Sequence, residues 1–196
     1  MIGPAQLASD TQRAPNGVLR RSSDGLQVFQ ARLDGFTFSR LRPYQEWATF
    51  STEAFRLWRL YRSVALPTSV LRIALRYINQ IDVSIEPGQL LDLSVYLRTY
   101  PEISPLLPQT IDGYFSNVQL MLREAGPKLQ LIQTVMISSP NILGLILDID
   151  VFWEEALGAT NEEIQTVLGE RFDLLRDYKN AVFEACITAE TRKLFE

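Results

Sequence analysis

Arg72 and Arg76 recur four apart in Leu71-Arg72-Ile73-Ala74-Leu75-Arg76-Tyr77-Ile78-Asn79-Gln80-Ile81, and Asp148-Ile149-Asp150 lies in a second apolar run. Both runs alternate with period two, so each pair falls on one face of a strand, the arginines about 13 Å apart by strand rise. Such a set has three uses. The simplest is cross-strand ion pairing on the solvated side of a sheet. The second is an arginine-lined patch for a phosphate or an acidic partner, because guanidinium binds such groups through two parallel N–H bonds. The third is a magnesium site at Asp148 and Asp150, which needs further oxygen ligands or a bound phosphate. Ion pairing is the expected use.

The remaining candidates are weaker. Glu154-Glu155 and Glu162-Glu163 are paired carboxylates, but they surround an expected loop and helix start, where acids complement the helix dipole. Cys186 ends an apolar helix face with no cationic neighbour in sequence and is expected to be a buried, inert thiol. Histidine is absent, which removes Ser-His-Asp and Cys-His pairs, imidazole relays and histidine metal sites together. No glycine-rich phosphate loop is present. The sequence therefore assigns no catalytic residue, no metal ligand and no cofactor, and the chain is expected not to be an enzyme. Asn79 interrupts an apolar run, so its amide must find partners. It either ties neighbouring backbone and sets strand register or contacts a ligand; the first is expected.

At 196 residues with 46% hydrophobic and 21% charged, the chain has the composition of an ordinary globular protein that needs no disulfide staple. A net charge of −4 argues against a general nucleic-acid binder while leaving a local basic patch open. Of the 19 basic residues only Lys128, Lys179 and Lys193 are lysine. One cysteine allows no intrachain disulfide, and no basic start with an apolar core follows Met1. No apolar run reaches the ~20 residues of a membrane span. A cytoplasmic protein without membrane association is expected.

These residues need elements to position them. Residues 1–25, punctuated by Gly3-Pro4, Ala14-Pro15-Asn16-Gly17 and Ser22-Ser23-Asp24-Gly25, read as an N-terminal arm. Residues 26–196 read as one α+β domain made of a hairpin-helix half (26–66) and a sheet-plus-long-helix half (67–196). Leu26–Leu33 and Phe36–Leu41 are expected strands joined at Asp34-Gly35, a turn dipeptide whose two positions both need positive φ. Pro43 opens a helix to about Ala65 that carries Trp47, Phe50, Ala54, Leu57, Trp58, Tyr61 and Val64 at helical spacing. This aromatic stripe either packs on a sheet, as expected, or offers Trp47 and Trp58 to a partner. A strand from Val70 to Ile85, a break at Pro87-Gly88, a helix from about Gln89 to Thr99 and a stiff link through Pro101, Pro105 and Pro108 follow. Three strands at about Tyr114–Arg123, Leu129–Ile137 and Leu143–Phe152 come next, with turns at Glu124-Ala125-Gly126-Pro127 and Ser138-Ser139-Pro140-Asn141. Thr160-Asn161-Glu162-Glu163 has capping-box form and opens a helix to about Ala185, and Thr188 caps a terminal turn. The expected fold is α+β: a largely antiparallel sheet with helices packed on one face and a long C-terminal helix.

Arg76-Tyr77-Ile78-Asn79-Gln80-Ile81 resembles the Arg-Tyr-x-Asn-Arg-Ile strand of a sporadically distributed prokaryotic family of uncharacterised proteins. Leu26-Gln27-Val28-Phe29-Gln30 after Asp24-Gly25, the segment Leu93–Pro101, Leu147-Asp148-Ile149-Asp150 and the ending Asn180–Thr188 fit in the same order, so the resemblance covers residues 18–196. It implies an α+β fold and no established activity. The family's patchy distribution implies a bacterial defence, conflict or mobile-element setting. Gln80 stands where the family has arginine, which weakens any anion contact there. The family's first strand and helix have no counterpart ahead of the hairpin, which would leave a sheet edge for the arm or a second copy to cover.

The expected function is that of a non-enzymatic protein-interaction subunit, a homo-oligomer or a component of a larger assembly. Trp47, Trp58, Arg72, Arg76, Asn79 and Gln80 are its candidate binding residues. The alternative is a nucleic-acid or nucleotide-associated protein that uses Arg72, Arg76 and Arg20-Arg21. Nucleic acid is possible as a partner but not favoured.

Overall fold

A computed structural model describes residues 11–14, 16–86, 91–104, 106, 113–124, 126–139, 141–160 and 163–195. Outside the described residues lie Pro87-Gly88, Gln89, Pro105, Pro108, Ala125, Pro140, Asn161-Glu162 and, within the expected arm, residues 1–10 and 15. The chain divides into two compact units, Met1–Ser69 and Val70–Glu196. The α+β class holds, and the strands form two four-stranded sheets.

In the first unit β1 (Thr11–Ala14), β2 (Gly17–Arg21), β3 (Gln27–Arg32) and β4 (Gly35–Arg40) form an antiparallel meander in chain order. The expectation of an arm without strands before residue 26 is therefore corrected. β1 and β2 are short and set among Gly, Pro and Ser, so side-chain alternation hardly marks them; backbone bonds from β1 to β2 and from β2 to β3 hold them in the sheet. Their register depends on Gly17, where an added Cβ would lie 2.3 Å from the Ala31 carbonyl oxygen. Gly25 has φ +70 in the turn before β3, its N–H donating to the Ser22 carbonyl at 2.9 Å.

The β3–β4 turn differs from expectation. Arg32 pairs with Gly35, so Leu33 and Asp34 are the turn residues, and neither Asp34 nor Gly35 has positive φ. Arg32 instead holds the Asp34 carboxylate through two N–H bonds of 2.8 Å.

Helix α1 spans Trp47–Ala65, so Pro43 precedes the helix instead of opening it. Leu66 stops it in the left-handed conformation, with Pro67 next. Its aromatic face packs on the sheet as expected: Phe50 stacks on Phe38 at 5.2 Å, and Trp58 and Tyr61 lie 5.9 and 5.8 Å from Phe36. Val64, expected in this stripe, is exposed. Three residues beyond Tyr61 the helix has turned about 60° off the sheet.

In the second unit β5 (Ser69–Ser84), β6 (Phe115–Met121), β7 (Lys128–Ser139) and β8 (Ile142–Gly158) assemble in the order β5-β8-β7-β6. β8 runs six residues past the expected Phe152. One face of this sheet is apolar and buried: Ile73, Leu75, Ile81 and Val83 of β5, Leu145, Leu147, Ile149 and Val151 of β8, and Leu129 and Leu131 of β7. Each such side chain contributes about 1.5–3 kcal/mol by leaving water. Helix α3 (Ile164–Cys186) packs against β8 and contributes Ile164, Leu168 and Leu175 to this core.

Thr160 is not the N-cap of α3. Glu163 is, without a side-chain bond, because the first helical N–H, that of Val167, reaches the Glu163 carbonyl at 3.1 Å. The helix expected to reach Thr99 is the single turn α2 (Leu93–Tyr96), because Leu97 turns extended to bridge Ile187. Thr188 does cap α4 (Ala189–Lys193), accepting from the Thr191 N–H at 3.3 Å. Its hydroxyl also donates to the Val95 carbonyl at 2.5 Å, and the buried Thr191 hydroxyl donates to that of Tyr96. The two chain segments are thus clasped by bonds that neither could satisfy alone.

Candidate functional site

The face of the second sheet opposite its apolar core carries the charged residues. Pleating puts Arg72, Arg76, Gln80 and Asp82 of β5 on this side, with Asp148, Asp150 and Phe152 of β8 beside them. Arg76 grips Asp148 through two bonds, Nε to Oδ1 at 2.8 Å and a terminal nitrogen to Oδ2 at 2.5 Å. The hydrogen bond to Asp148 raises the Arg76 pKa above the usual guanidinium range against the opposing pull of burial. Arg72 donates to Asp150 at 2.9 Å and lies 4.3 Å over the Phe152 ring. The expected cross-strand pairing is therefore present. These arginines meet carboxylates of their own chain, and Asp148 and Asp150 spend their charge on guanidinium groups. Asp150 keeps one buried oxygen without a hydrogen bond among the described residues. No group of three or more potential metal ligands occurs among those residues.

Asn79 sits where its backbone role predicts, its amide donating to the Leu147 carbonyl of β8 at 3.0 Å. Gln80 joins a polar bridge that the sequence did not reveal. Its amide donates to Asp82 at 2.7 Å and to the Ser138 hydroxyl at 3.2 Å, and Ser138 donates to Asp82 at 3.3 Å. This cluster spans from β5 to β7 across β8, and it can do so because Gly144 lies beneath it. A Cβ on Gly144 would stand 2.7 Å from the Ser138 oxygen. A glycine inside an apolar strand, Leu143-Gly144-Leu145, is the signal for such close approach.

Trp47 and Trp58, the other candidate binding residues, are half-buried in the aromatic layer of the first unit. Trp47 lies 5.9 Å from Phe50, and Trp58 stacks on Tyr61 at 5.7 Å. The structure brings Arg72, Arg76, Asn79 and Gln80 together on one strand, while the tryptophans belong to a different unit. Glu154 and Glu155 lie on β8 and are paired, with Lys128 at 2.5 Å and Arg171 at 2.9 Å. Lys179 lies 4.0 Å over the Tyr77 ring, and its burial lowers the amine pKa, with Arg176 adding to the shift. Burial raises the Cys186 thiol, offset in part by a hydrogen bond to Thr99.

The two edges of this sheet differ. β5 carries Arg72, Arg76 and Asp82 along its length, charges of the kind that guard an edge. β6 reads Phe115-Ser116-Asn117-Val118-Gln119-Leu120-Met121, with no charge, proline or glycine. It pairs with β7 alone among the described residues. Phe115, Val118, Leu120 and Met121 are exposed, at 69, 39, 47 and 63%. Since alternate residues point to opposite faces, both faces of this strand meet solvent. The sequence places a strand here; that it lies at the rim, with both faces exposed among the described residues, is a tertiary outcome.

Fold and site together define an α+β protein with a charge-compensated sheet face and an uncharged edge strand that pairs on one side among the described residues. No family model, no curated protein and no solved structure matches the chain.

Proposed function

We propose that this chain is a non-enzymatic protein-interaction subunit that engages its partner through the rim of the second sheet. The observation that carries this reading is β6, uncharged and exposed on both faces. Strand edges of this kind template pairing with another chain, and the main chain supplies most of the affinity. The groups best placed for chemistry support the same reading from the other side: Arg72, Arg76, Asp148 and Asp150 are held in ion pairs. The defence or mobile-element setting implied by the family resemblance belongs to this proposal. The test compares wild-type protein with a Phe115→Asp/Met121→Asp variant in sizing and in pull-down from the native host. Loss of self-association or of a captured chain, with unchanged unfolding, supports the reading. A wild-type monomer that captures nothing overturns it.

A second reading, nucleic-acid or nucleotide association, draws on the first unit instead of Arg72 and Arg76. Residues 1–69 contain nine arginines against five acids, and Arg20 and Arg21 are exposed on β2. Fluorescence anisotropy with a labelled oligonucleotide at low salt tests it. Binding lost in Arg20→Glu/Arg21→Glu would favour this reading; no binding in wild type would remove it.

A further inference from the structure

We infer that the occupant of the β6 edge is the β6 strand of a second copy of this chain, paired antiparallel about a two-fold axis at Val118. The inference rests on the interaction reading above and deepens it by naming the partner. A two-fold strand pair sets residue 118 opposite itself, 117 opposite 119, 116 opposite 120 and 115 opposite 121. The side-chain pattern of β6 is symmetric about that centre in three of its four pairings: Phe115 meets Met121, Asn117 meets Gln119 and Val118 meets Val118. The outer pair brings together the two most exposed apolar side chains of the strand, at 69 and 63%. The inner pair sets amide against amide: the Asn117 oxygen accepts from Gln130 of its own chain at 3.3 Å, and its amide N–H groups can donate to the Gln119 oxygen across the axis. Ser116 against Leu120 is the one mixed pair. No like charges oppose, although the chain carries a net charge of −4; a neutral strand is the part of such a surface on which two copies can meet. The result is a continuous antiparallel sheet of twice four strands. The Gln80-Asp82-Ser138 bridge is satisfied internally, and Lys179 lies over the Tyr77 ring.

The experiment is analytical ultracentrifugation of the full chain over a concentration series, with three variants whose folding is checked by circular dichroism. Wild type is expected to sediment as a dimer. Val118→Lys puts two ammonium groups on the axis and should raise the dissociation constant by ~100-fold. Val118 is exposed enough for the lysine to reach water in the monomer, so the fold survives. The register has its own test. Asn117→Lys/Gln119→Lys sets lysines against lysines and should give monomers, whereas Asn117→Asp/Gln119→Lys sets each aspartate against the partner's lysine and should remain a dimer. A dimer indifferent to Val118→Lys, or equal behaviour of the two double variants, overturns this pairing. A wild-type monomer that binds another protein through β6 overturns the second-copy inference while the interaction reading stands. A monomer that binds nothing ends both.

Discussion

Replacing Arg76 by leucine should destabilise the second unit by about 2 kcal/mol, and the estimate follows from how the ion pair is placed. The Asp148 side chain is 8% exposed and that of Arg76 54%. Two unit charges at about 4 Å interact by about 4 kcal/mol at an effective dielectric of 20 and by about 1 kcal/mol in bulk water. With one partner buried and the other half in solvent, the pair lies between these limits. Arg76→Leu strands a buried carboxylate, and the cost is the loss of its compensation more than the loss of an attraction. Asp148→Leu removes the buried charge and leaves an arginine that can turn to water, so it should cost less. The double variant Arg76→Leu/Asp148→Leu should lie closer to wild type than Arg76→Leu alone, with a coupling energy of about 1–2 kcal/mol in a double-mutant cycle. Arg72 and Asp150 share a single 2.9 Å bond with side chains 46 and 17% exposed, so Arg72→Leu should cost about 1 kcal/mol or less. Urea unfolding followed by tryptophan fluorescence and circular dichroism reads these differences. An Arg76→Leu protein with an unchanged midpoint, or strict additivity in the cycle, would refute the electrostatic account. If the same variant lost partner binding at full stability, the pair would be a contact surface and not a brace.

Three further expectations are open to direct measurement. Gly17→Ala should destabilise the first unit by about 2–3 kcal/mol, because its Cβ would meet the Ala31 carbonyl oxygen and the Arg32 Cα at 2.3 and 2.8 Å, both backbone atoms that cannot swing aside; hydrogen exchange in β2 and β3 reports it. Asn79→Leu removes the amide donor from the Leu147 carbonyl and should cost about 1–2 kcal/mol in urea unfolding; unchanged unfolding with lost partner binding would point to a contact role for Asn79. Cys186 is buried with its thiol pKa raised, so at pH 8 it should react with a disulfide reagent much more slowly than in urea-unfolded protein. By linkage, its contribution to stability is present below the ordinary thiol range and is lost as pH rises past that range towards the raised folded value. A native thiol that reacts as fast as the unfolded one would contradict its burial.

Local pattern and tertiary placement made separate contributions. Period-two alternation located β5 and its charged face, helical spacing located α1 and α3, and Thr188 announced the cap of α4. The ion pairs were legible because Arg72, Arg76, Asp148 and Asp150 have opposite charges and matching periodicity on two strands. β1 and β2 were not legible, because short strands set among Gly, Pro and Ser have too few side chains to show a period. α3 starts after Glu163 and not after Thr160, because a capping-box spelling does not ensure that the backbone turns there. The Gln80-Asp82-Ser138 bridge was also hidden, since Ser138 stands 58 residues from Gln80 in the chain and meets it only because β8 passes between them with Gly144.

The amino-acid string by itself determined the α+β class, the strand and helix periods, and the absence of imidazole groups and of an intrachain disulfide, since these depend only on residue type and near-neighbour spacing. Strand order is a different matter. Folding placed β8 at the centre of its sheet and left β6 at the rim, and alternation within a strand says nothing about which strand lies beside it. That placement made Asp148 a buried ion-pair partner and left Phe115 exposed, because burial is set by neighbours that are often far away in sequence.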